Sequence, residues 1–286
     1  MPEIFDSHTH LFSPVVIANV SGRKELAEAL CLEIDRAAGR TDKAALKHEL
    51  QAAEVHGSLL LPTAPMNAVR KVNDLFLETI KGEERLLTAG TLHPFYPDID
   101  GEIERLSHHN VRALKFSSFS QGIDLEAEET LSLFDKISSH NHSQKAQFFA
   151  ILDTFYHADF YFGVPRKYVT TPEKLARLVT SFPDINFVGA HMGGLMAPFR
   201  EIEKYMVGHK NFYLETSNAA HVLSRNEFLR LLNYHGPERI LFGTDWPWFG
   251  HKEEIVLIRG LLQEAGFSAQ EQSEVFSGNI SRLLKG

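Results

Sequence analysis

Cysteine is almost missing from this 286-residue chain. Cys31 stands alone, so no disulfide can staple the chain internally. Its neighbours Leu30 and Leu32 place it on a helix, in apolar company that does not activate a thiolate. Long apolar runs are absent too: none approaches the ~20 residues that a bilayer core requires. The first residues run into a strand-like segment with no basic, apolar, small-residue leader, so the expected location is the cytoplasm, away from membranes. Basic charge is in deficit. With 29 Lys and Arg against 37 Asp and Glu, interspersed throughout, the net charge is -8 and no basic stripe presents itself to a phosphate backbone. Nucleic acid is therefore an unsuitable partner. Disorder and fibrous structure are excluded by a composition that is 43% hydrophobic and 23% charged, with 19 Gly and 12 Pro.

What the chain does have is repetition. Short β-rich runs that end in small or polar residues recur at Ile4 to Leu11, Gly57 to Leu61, Leu86 to Leu92, Val111 to Phe116, Gln147 to Leu152, Ile185 to Ala190, Asn211 to Thr216 and Arg239 to Gly243. Stretches of helical periodicity lie between them, such as Val69 to Ile80, Leu175 to Val179 and Phe228 to Leu232. Thr171-Pro172-Glu173 reads as an N-cap with proline and a carboxylate in the first turn. Ser268 and Glu271 form a capping box for a last helix that ends near Leu284. Eight strand-helix units without a composition break predict an α/β fold, a (β/α)8 TIM barrel, over residues 1 to 286 as one domain. A doubly wound sheet is second, because no Gly-x-Gly-x-x-Gly follows the first strand. The one long excursion, about Phe12 to Gln51, contains a predicted helix from Lys24 to Asp35 and is expected to act as a lid over the barrel mouth. Ser138 to Gln144, with His140 and His142, reads as a solvated turn before the fifth strand.

A barrel enzyme builds its site from the C-terminal ends of its strands, so the residues there matter most. His8 and His10 are two apart on the first strand and project the same way, close enough to share one cation. His191 after the sixth strand and Asp245 after the eighth supply further nitrogen and oxygen donors. Lys115 ends the fourth strand, where its ammonium binds an anionic substrate group or an internal carboxylate, or snorkels to solvent. Asp153 ends the fifth. His93 is read either as a pocket residue or as a satisfied structural histidine, and His157 is placed to reach back from a loop. Trp246 and Trp248, with Phe119, Phe155 and Tyr156, suggest a flat apolar pocket wall or else core packing.

Several of these segments, in this order, resemble the amidohydrolase superfamily, in particular its amidohydrolase-related branch of decarboxylases and pyrone dicarboxylate lactonases. The resemblance rests on Asp6-Ser7-His8-Thr9-His10, Phe187 to Gly194, Tyr213 to Ser217, Leu241 to Pro247 and Gly278 to Leu284. It implies a distorted eight-stranded barrel with one divalent metal, commonly zinc, at the mouth. His8, His10 and Asp245 would be ligands, Asp245 also the proton acceptor, His191 the group that polarises substrate or activates water, and Glu215 a support for a ligand histidine. The departure from the pattern is the fifth strand, where relatives carry a histidine and this chain has Asp153. As a ligand, Asp153 would make the site more anionic and friendlier to Mn²⁺. Lactonase relatives work without metal, so metal-free operation is the other reading of that exchange. A bridging, carboxylated Lys115, as in binuclear members, is a further possibility that the resemblance raises. The expected reaction is hydrolysis of a C-O or C-N bond in a lactone, ester or amide of a small carboxylated substrate. Non-oxidative decarboxylation (a lyase reaction) is the alternative, and a non-catalytic ligand-binding barrel is a third. Relatives often pair, which leaves a homodimer open.

Overall fold

The computed structural model describes residues 3–143, 147–206 and 208–286. Among the described residues nine parallel strand segments follow one another: β1 (Phe5–Thr9), β2 (Gly57–Leu60), β3 (Leu86–Thr88), β4 (Gly90–Thr91), β5 (Ala113–Phe116), β6 (Phe149–Leu152), β7 (Phe187–Gly189), β8 (Phe212–Glu215) and β9 (Ile240–Leu241). They occupy eight positions, because β3 and β4 are one predicted strand interrupted at Ala89. β3 pairs with β2 and β4 with β5, while the Ala89 N–H donates to the Leu60 carbonyl at 2.9 Å and holds the two pieces together. At the other junction the Ser7 N–H donates to the Phe242 carbonyl (2.9 Å), the Asp245 N–H to the His8 carbonyl (3.0 Å), and Thr9 bridges Trp246. These contacts join the first strand to the last, and the fold is the TIM barrel that the repeats predict.

Burial explains the continuous apolar strands. Most strand residues are buried on both faces, one against the surrounding helices and one against the lumen. The lumen face is Leu59, Leu61, Ala113, Phe149, Ile151, Val188 and Leu241 in one packed cluster, joined by Ile280 and Leu283 from the last helix. The same alternation carries Lys115, two residues after Ala113, and Asp153, two after Ile151, toward the mouth. β1 needs an extra device. Phe5 packs with the lumen cluster, and the pairing with β2 slips between Asp6 and Thr9. That slip changes the phase of the strand and brings the even-numbered His8 and His10 to the site.

Three local expectations are corrected. The predicted helix over Lys24 to Asp35 is broken: it spans Lys24–Ala29, and a short helix follows at Ile34–Ala37. Cys31 is exposed, with φ of 53°, instead of helical. The Leu32 N–H reaches the Ala27 carbonyl and the Cys31 N–H that of Glu28, the paired bonds of a Schellman stop with Cys31 in the left-handed position. Ser138 to Ser143 is the end of the helix Glu128–Ser143, not a turn, and Gln144 lies outside the described residues. The reason is Asn141, which continues the buried face of Leu133, Phe134 and Ile137 and exchanges two hydrogen bonds with the Phe148 backbone. The last helix keeps its Ser268–Glu271 capping box but widens into a π-type turn at Glu274–Gly278. There Asn279 is buried and donates to the carbonyls of Pro237 and Ile240.

Between β1 and β2 the chain forms helices at Pro14–Ser21, Lys24–Ala29, Ile34–Ala37 and Lys43–Ala52. Residues from this segment line one side of a cavity at the C-terminal ends of the strands. No helix among the described residues is long and apolar enough to cross a membrane.

Candidate active site

The cavity has a volume of about 660 Å³, and His10, Lys115, Asp153, His191 and Asp245 line it. His8 lies beneath, fully buried. The His8 and His10 Nε2 atoms are 3.0 Å apart, and Asp245 Oδ1 is 3.4 Å from His10 Nε2 and 3.8 Å from His8 Nε2. The far nitrogen of each ring is already engaged. His8 Nδ1 is 2.7 Å from Glu215 Oε2, and His10 Nδ1 is 3.1 Å from the Leu61 carbonyl. A carbonyl only accepts, so His10 carries its proton on Nδ1; the carboxylate assigns His8 the same tautomer. Both Nε2 lone pairs then point at one another at contact distance beside a carboxylate oxygen, which is unfavourable without a positive charge between them. Ligand atoms arranged tetrahedrally about 2.0–2.2 Å from a cation are about 3.3–3.6 Å from each other, close to the three separations found. The donor set therefore fits a divalent metal.

Support for this trio comes from neighbouring strands. Glu215, at the end of β8, also accepts from the Ser217 N–H and O–H, both at 2.6 Å. Ser217 stands 2.9 Å from His191 Nδ1, and its carbonyl accepts from that nitrogen at 3.0 Å, turning the ring with Nε2 away from β8. The His8 and His191 rings are 5.0 Å apart. Asp6 accepts from the His8 and Thr244 N–H groups and from the Thr244 hydroxyl, tying β1 to the loop that carries Asp245. Behind it His251 sits 3.0 Å from Asp6 Oδ2, and Glu49 accepts from the His251 and Trp246 N–H groups. Backbone strain collects here: His191, Met192, Asn218 and Asp245 all have φ between 54° and 59°. Left-handed non-glycine residues cost on the order of 1–3 kcal/mol each and persist where surrounding bonds fix them.

The electrostatics follow from burial. Burial pushes the Asp245 carboxyl up, but positive charge on the imidazoles around it, His10 first and then His191 and His8, overcomes burial when those rings are protonated and holds the group far below the usual carboxylate range; in the neutral tautomers that role falls to a bound cation. His8 goes down, first by burial and then by the Lys115 charge, which keeps the ring neutral and able to ligate. Glu215 is raised by burial against the pull of His191 and Ser217. Lys115 is 1% exposed, so it does not snorkel, and its Nζ has no hydrogen-bond partner. Burial lowers its pKa, with Asp153, Glu215 and Asp245 pulling the other way.

Not every candidate residue reaches the site. Among the described residues, the clusters with donor atoms near enough to share a metal are His8, His10, Asp245 and His8, His191, Glu215; Asp153 is in neither. Its Oδ1 turns back to accept from the Phe155 N–H, and the side chain stays on the cavity wall. His93 is buried outside the cavity, between the Gln121 carbonyl and the Phe95 N–H, as a satisfied structural histidine. His157 precedes the helix Ala158–Phe162 and does not line the cavity. Trp246 is fully buried below it, with its indole on Glu49, and Tyr156 is likewise no part of the wall. Trp248, Phe119 and Phe155 do line it. Phe12, stacked on His10 with ring centroids 4.4 Å apart, was not anticipated, nor were Asn218 on the wall and Ser217 at the junction of three side chains. Only Ser217 had a signal in the sequence, its two-residue spacing from Glu215.

A parallel barrel with paired histidines, an aspartate and a further histidine at its strand ends is the architecture of metal-dependent barrel enzymes. A family model described as Amidohydrolase matches residues 6–286, and the chain belongs to that amidohydrolase family. Among solved structures it is similar to a TIM-barrel protein from Bordetella bronchiseptica, with TM-score 0.76 and 16% identity over 99% of this chain and 98% of that one. It is also similar to 5-carboxyvanillate decarboxylase from Sphingomonas paucimobilis, with TM-score 0.71 and 17% identity over 99% of both chains. A third is dihydroxybenzoic acid decarboxylase from a Polaromonas species, with bound manganese and 2-nitroresorcinol: TM-score 0.70 and 16% identity over 100% of this chain and 97% of that one. At such identities the likeness is one of fold. A search of curated protein sequences found no match.

Proposed function

We propose that this protein is a metal-dependent hydrolase that cleaves a C-O or C-N bond of a lactone, ester or amide carrying an acidic group. The single observation behind this reading is the meeting of two imidazole lone pairs and one carboxylate at the floor of a cavity. His8, His10 and Asp245 would hold the ion, zinc or manganese by their chemistry. When bound, a divalent ion supplies acidified water and withdraws charge from a substrate oxygen. Asp245, held ionised by its histidine neighbours, accepts a proton from water and returns it to the leaving group. His191, fixed through Nδ1 by Ser217, offers Nε2 to the carbonyl oxygen as negative charge develops there, in its protonated form. Lys115, buried without a partner, attracts an anionic substrate group.

Non-oxidative decarboxylation is the second reading, favoured by the aromatic side chains on the cavity wall and by the activities named for two of the similar structures. The same groups would then direct a proton to the carbon that loses CO₂. Metal analysis of protein purified without chelator, followed by turnover of lactone, amide and aromatic-acid panels in ¹⁸O water, separates the readings. Solvent oxygen in a product carboxylate is the expected result. Release of CO₂ without such uptake establishes the lyase reaction, and protein that takes up no metal and turns over nothing returns the barrel to ligand binding alone.

A further inference from the structure

The two ends of the cavity have opposite chemistry. Charged and titratable groups gather at the floor, whereas the walls above are mostly apolar: Val16, Val20 and Leu26 come from the helices after β1, Phe76 from the helix Val69–Ile80, and Phe119 and Phe162 from the short helices Ser118–Gln121 and Ala158–Phe162 after β5 and β6. Val16, 38% exposed, and Leu75, 60% exposed, carry apolar surface out to the rim, beside the polar Ser13, Asn19 and Arg23. Large apolar side chains left open to water around a cavity mark a binding surface. The one cation near the rim, Arg23, is engaged with the Tyr161 carbonyl at 2.8 Å and lies over the Phe162 ring. A volume of about 660 Å³ compares with the ~30 Å³ that one water occupies in the liquid, which gives room for about twenty heavy atoms. A minimal acid that fills only the floor leaves most of this wall wetted.

We infer that the substrate is an amphiphile, with its reacting carbonyl and acidic head at the His10–Asp245–Lys115 floor and an apolar tail of about six to ten carbons along the Val20–Leu26–Phe76–Phe119 wall. The inference rests on the proposed reading only in taking this floor as the reaction site. The tail is held by removal of apolar surface from water, so each methylene that enters the wall tightens binding by about fourfold, until the cavity is filled. A second carboxylate at the far end of the substrate would find mostly apolar side chains, with Ser13, Asn19 and an arginine two of whose nitrogens are already in use.

The test is calorimetric titration of the purified protein with acetate, butanoate, hexanoate, octanoate and decanoate, and with succinate as a short diacid. Affinity is expected to climb about fifteenfold per pair of methylenes and then level off. Val20→Trp is expected to move the plateau to a shorter chain. Leu75→Glu, at an exposed position that spares the core, is expected to weaken decanoate at least several-fold. Equal affinity along the series, or succinate tighter than hexanoate, overturns the inference. Because these acids are not turned over by hydrolysis, the two claims part when N-acetylglycine and N-octanoylglycine, amides that carry the acidic head with and without a tail, are compared as substrates. Hydrolysis of both with the same kcat/KM overturns the tail and leaves the hydrolase standing. Chain-dependent binding without hydrolysis of either leaves the tail standing and removes amide hydrolysis from the proposed reading.

Discussion

Replacing Glu215 by glutamine tests the metal site at the residue that supports it. The Glu215 carboxylate receives three donors: His8 Nδ1–H at 2.7 Å, and the Ser217 N–H and O–H at 2.6 Å each. It donates nothing. Glutamine has the same shape but only one accepting atom, so its NH₂ must face at least one of those donors. If the NH₂ takes the place of Oε1, it opposes the Ser217 N–H, a buried donor without an acceptor that costs about 1–3 kcal/mol of stability. If it takes the place of Oε2, it opposes His8, whose ring relieves the clash by moving its proton to Nε2. That proton then points toward His10 Nε2, 3.0 Å away, and removes a metal-binding lone pair. Loss of such supporting bonds typically lowers metal affinity about 10–100-fold, or roughly 1.4–2.7 kcal/mol. Equilibrium dialysis against a graded chelator reads the affinity, and thermal unfolding of metal-free protein reads the stability. A Glu215→Gln protein that holds metal like the wild type and melts with it would refute the tautomer argument and the metal site built on it.

Four further perturbations follow from the same geometry. Gly243→Ala places a Cβ that strikes Glu215 Oε1 and comes within 2.8 Å of the His8 Cβ, so metal content should fall together with the melting temperature, by an overpacking cost of about 1–3 kcal/mol; an alanine variant with full metal content would contradict the contact. Burial lowers the His251 pKa, but Asp6 and Glu49 more than restore it, to about 9 against an ordinary 6.5. The raised value means that stability is fully present below pH ~6.5 and is lost as pH rises toward 9 and above, by on the order of 3 kcal/mol; a melting curve series from pH 6.5 to 9.5 that stays flat would show that His251 is not charged in the fold. Asp245→Asn should fold normally and lose turnover by at least about 10²-fold, as removal of a proton acceptor does, and an active asparagine variant would end its assignment as the base. Lys115→Met exchanges an unpartnered buried amine for an apolar stem, so it should gain on the order of 1 kcal/mol in stability while losing affinity for anionic ligands; a strongly destabilised variant that still binds acids would mean that Lys115 serves the fold and not the substrate.

The barrel was legible because its signal is periodic and local. Each strand is buried on both faces and so must be apolar throughout, and each ends in polar residues that only the mouth can accommodate. Those strand ends also exposed His8, His10, Lys115, His191 and Asp245, all of which the structure places at one cavity or directly beneath it. Residues whose position depends on a turn were left with two readings for a physical reason. Asp153 has the right address at the end of β6, yet a carboxylate can cap its own turn, and the hydrogen bond to the Phe155 N–H directs it away from the histidines. Trp246 is adjacent to Asp245 but faces the other way, into the Glu49 contact, and it is Trp248 that reaches the wall.

What no window of the sequence could reveal is coupling across long separations. Glu49 and His251 are 202 positions apart, and Glu49 lies on a helix with no chemical motif of its own. Yet through His251 and Asp6 this pair fixes both the β1 backbone at His8 and the Thr244 turn that holds Asp245 in a left-handed conformation. The helical segment after β1 thus does two jobs. In the proposed reading its earlier part, from Phe12 to Leu32, shapes the wall that selects what enters, and its last helix, through Glu49, orients the groups that react. A change of sequence after Phe12 and before Leu32 can therefore alter substrate choice while Asp6, Glu49 and His251 keep the proposed ligand geometry. In the proposed reading this division lets one barrel with one set of ligands serve different reactions, because, the stacking of Phe12 on His10 apart, the specificity surface and the ligand scaffold share a covalent segment but not these contacts.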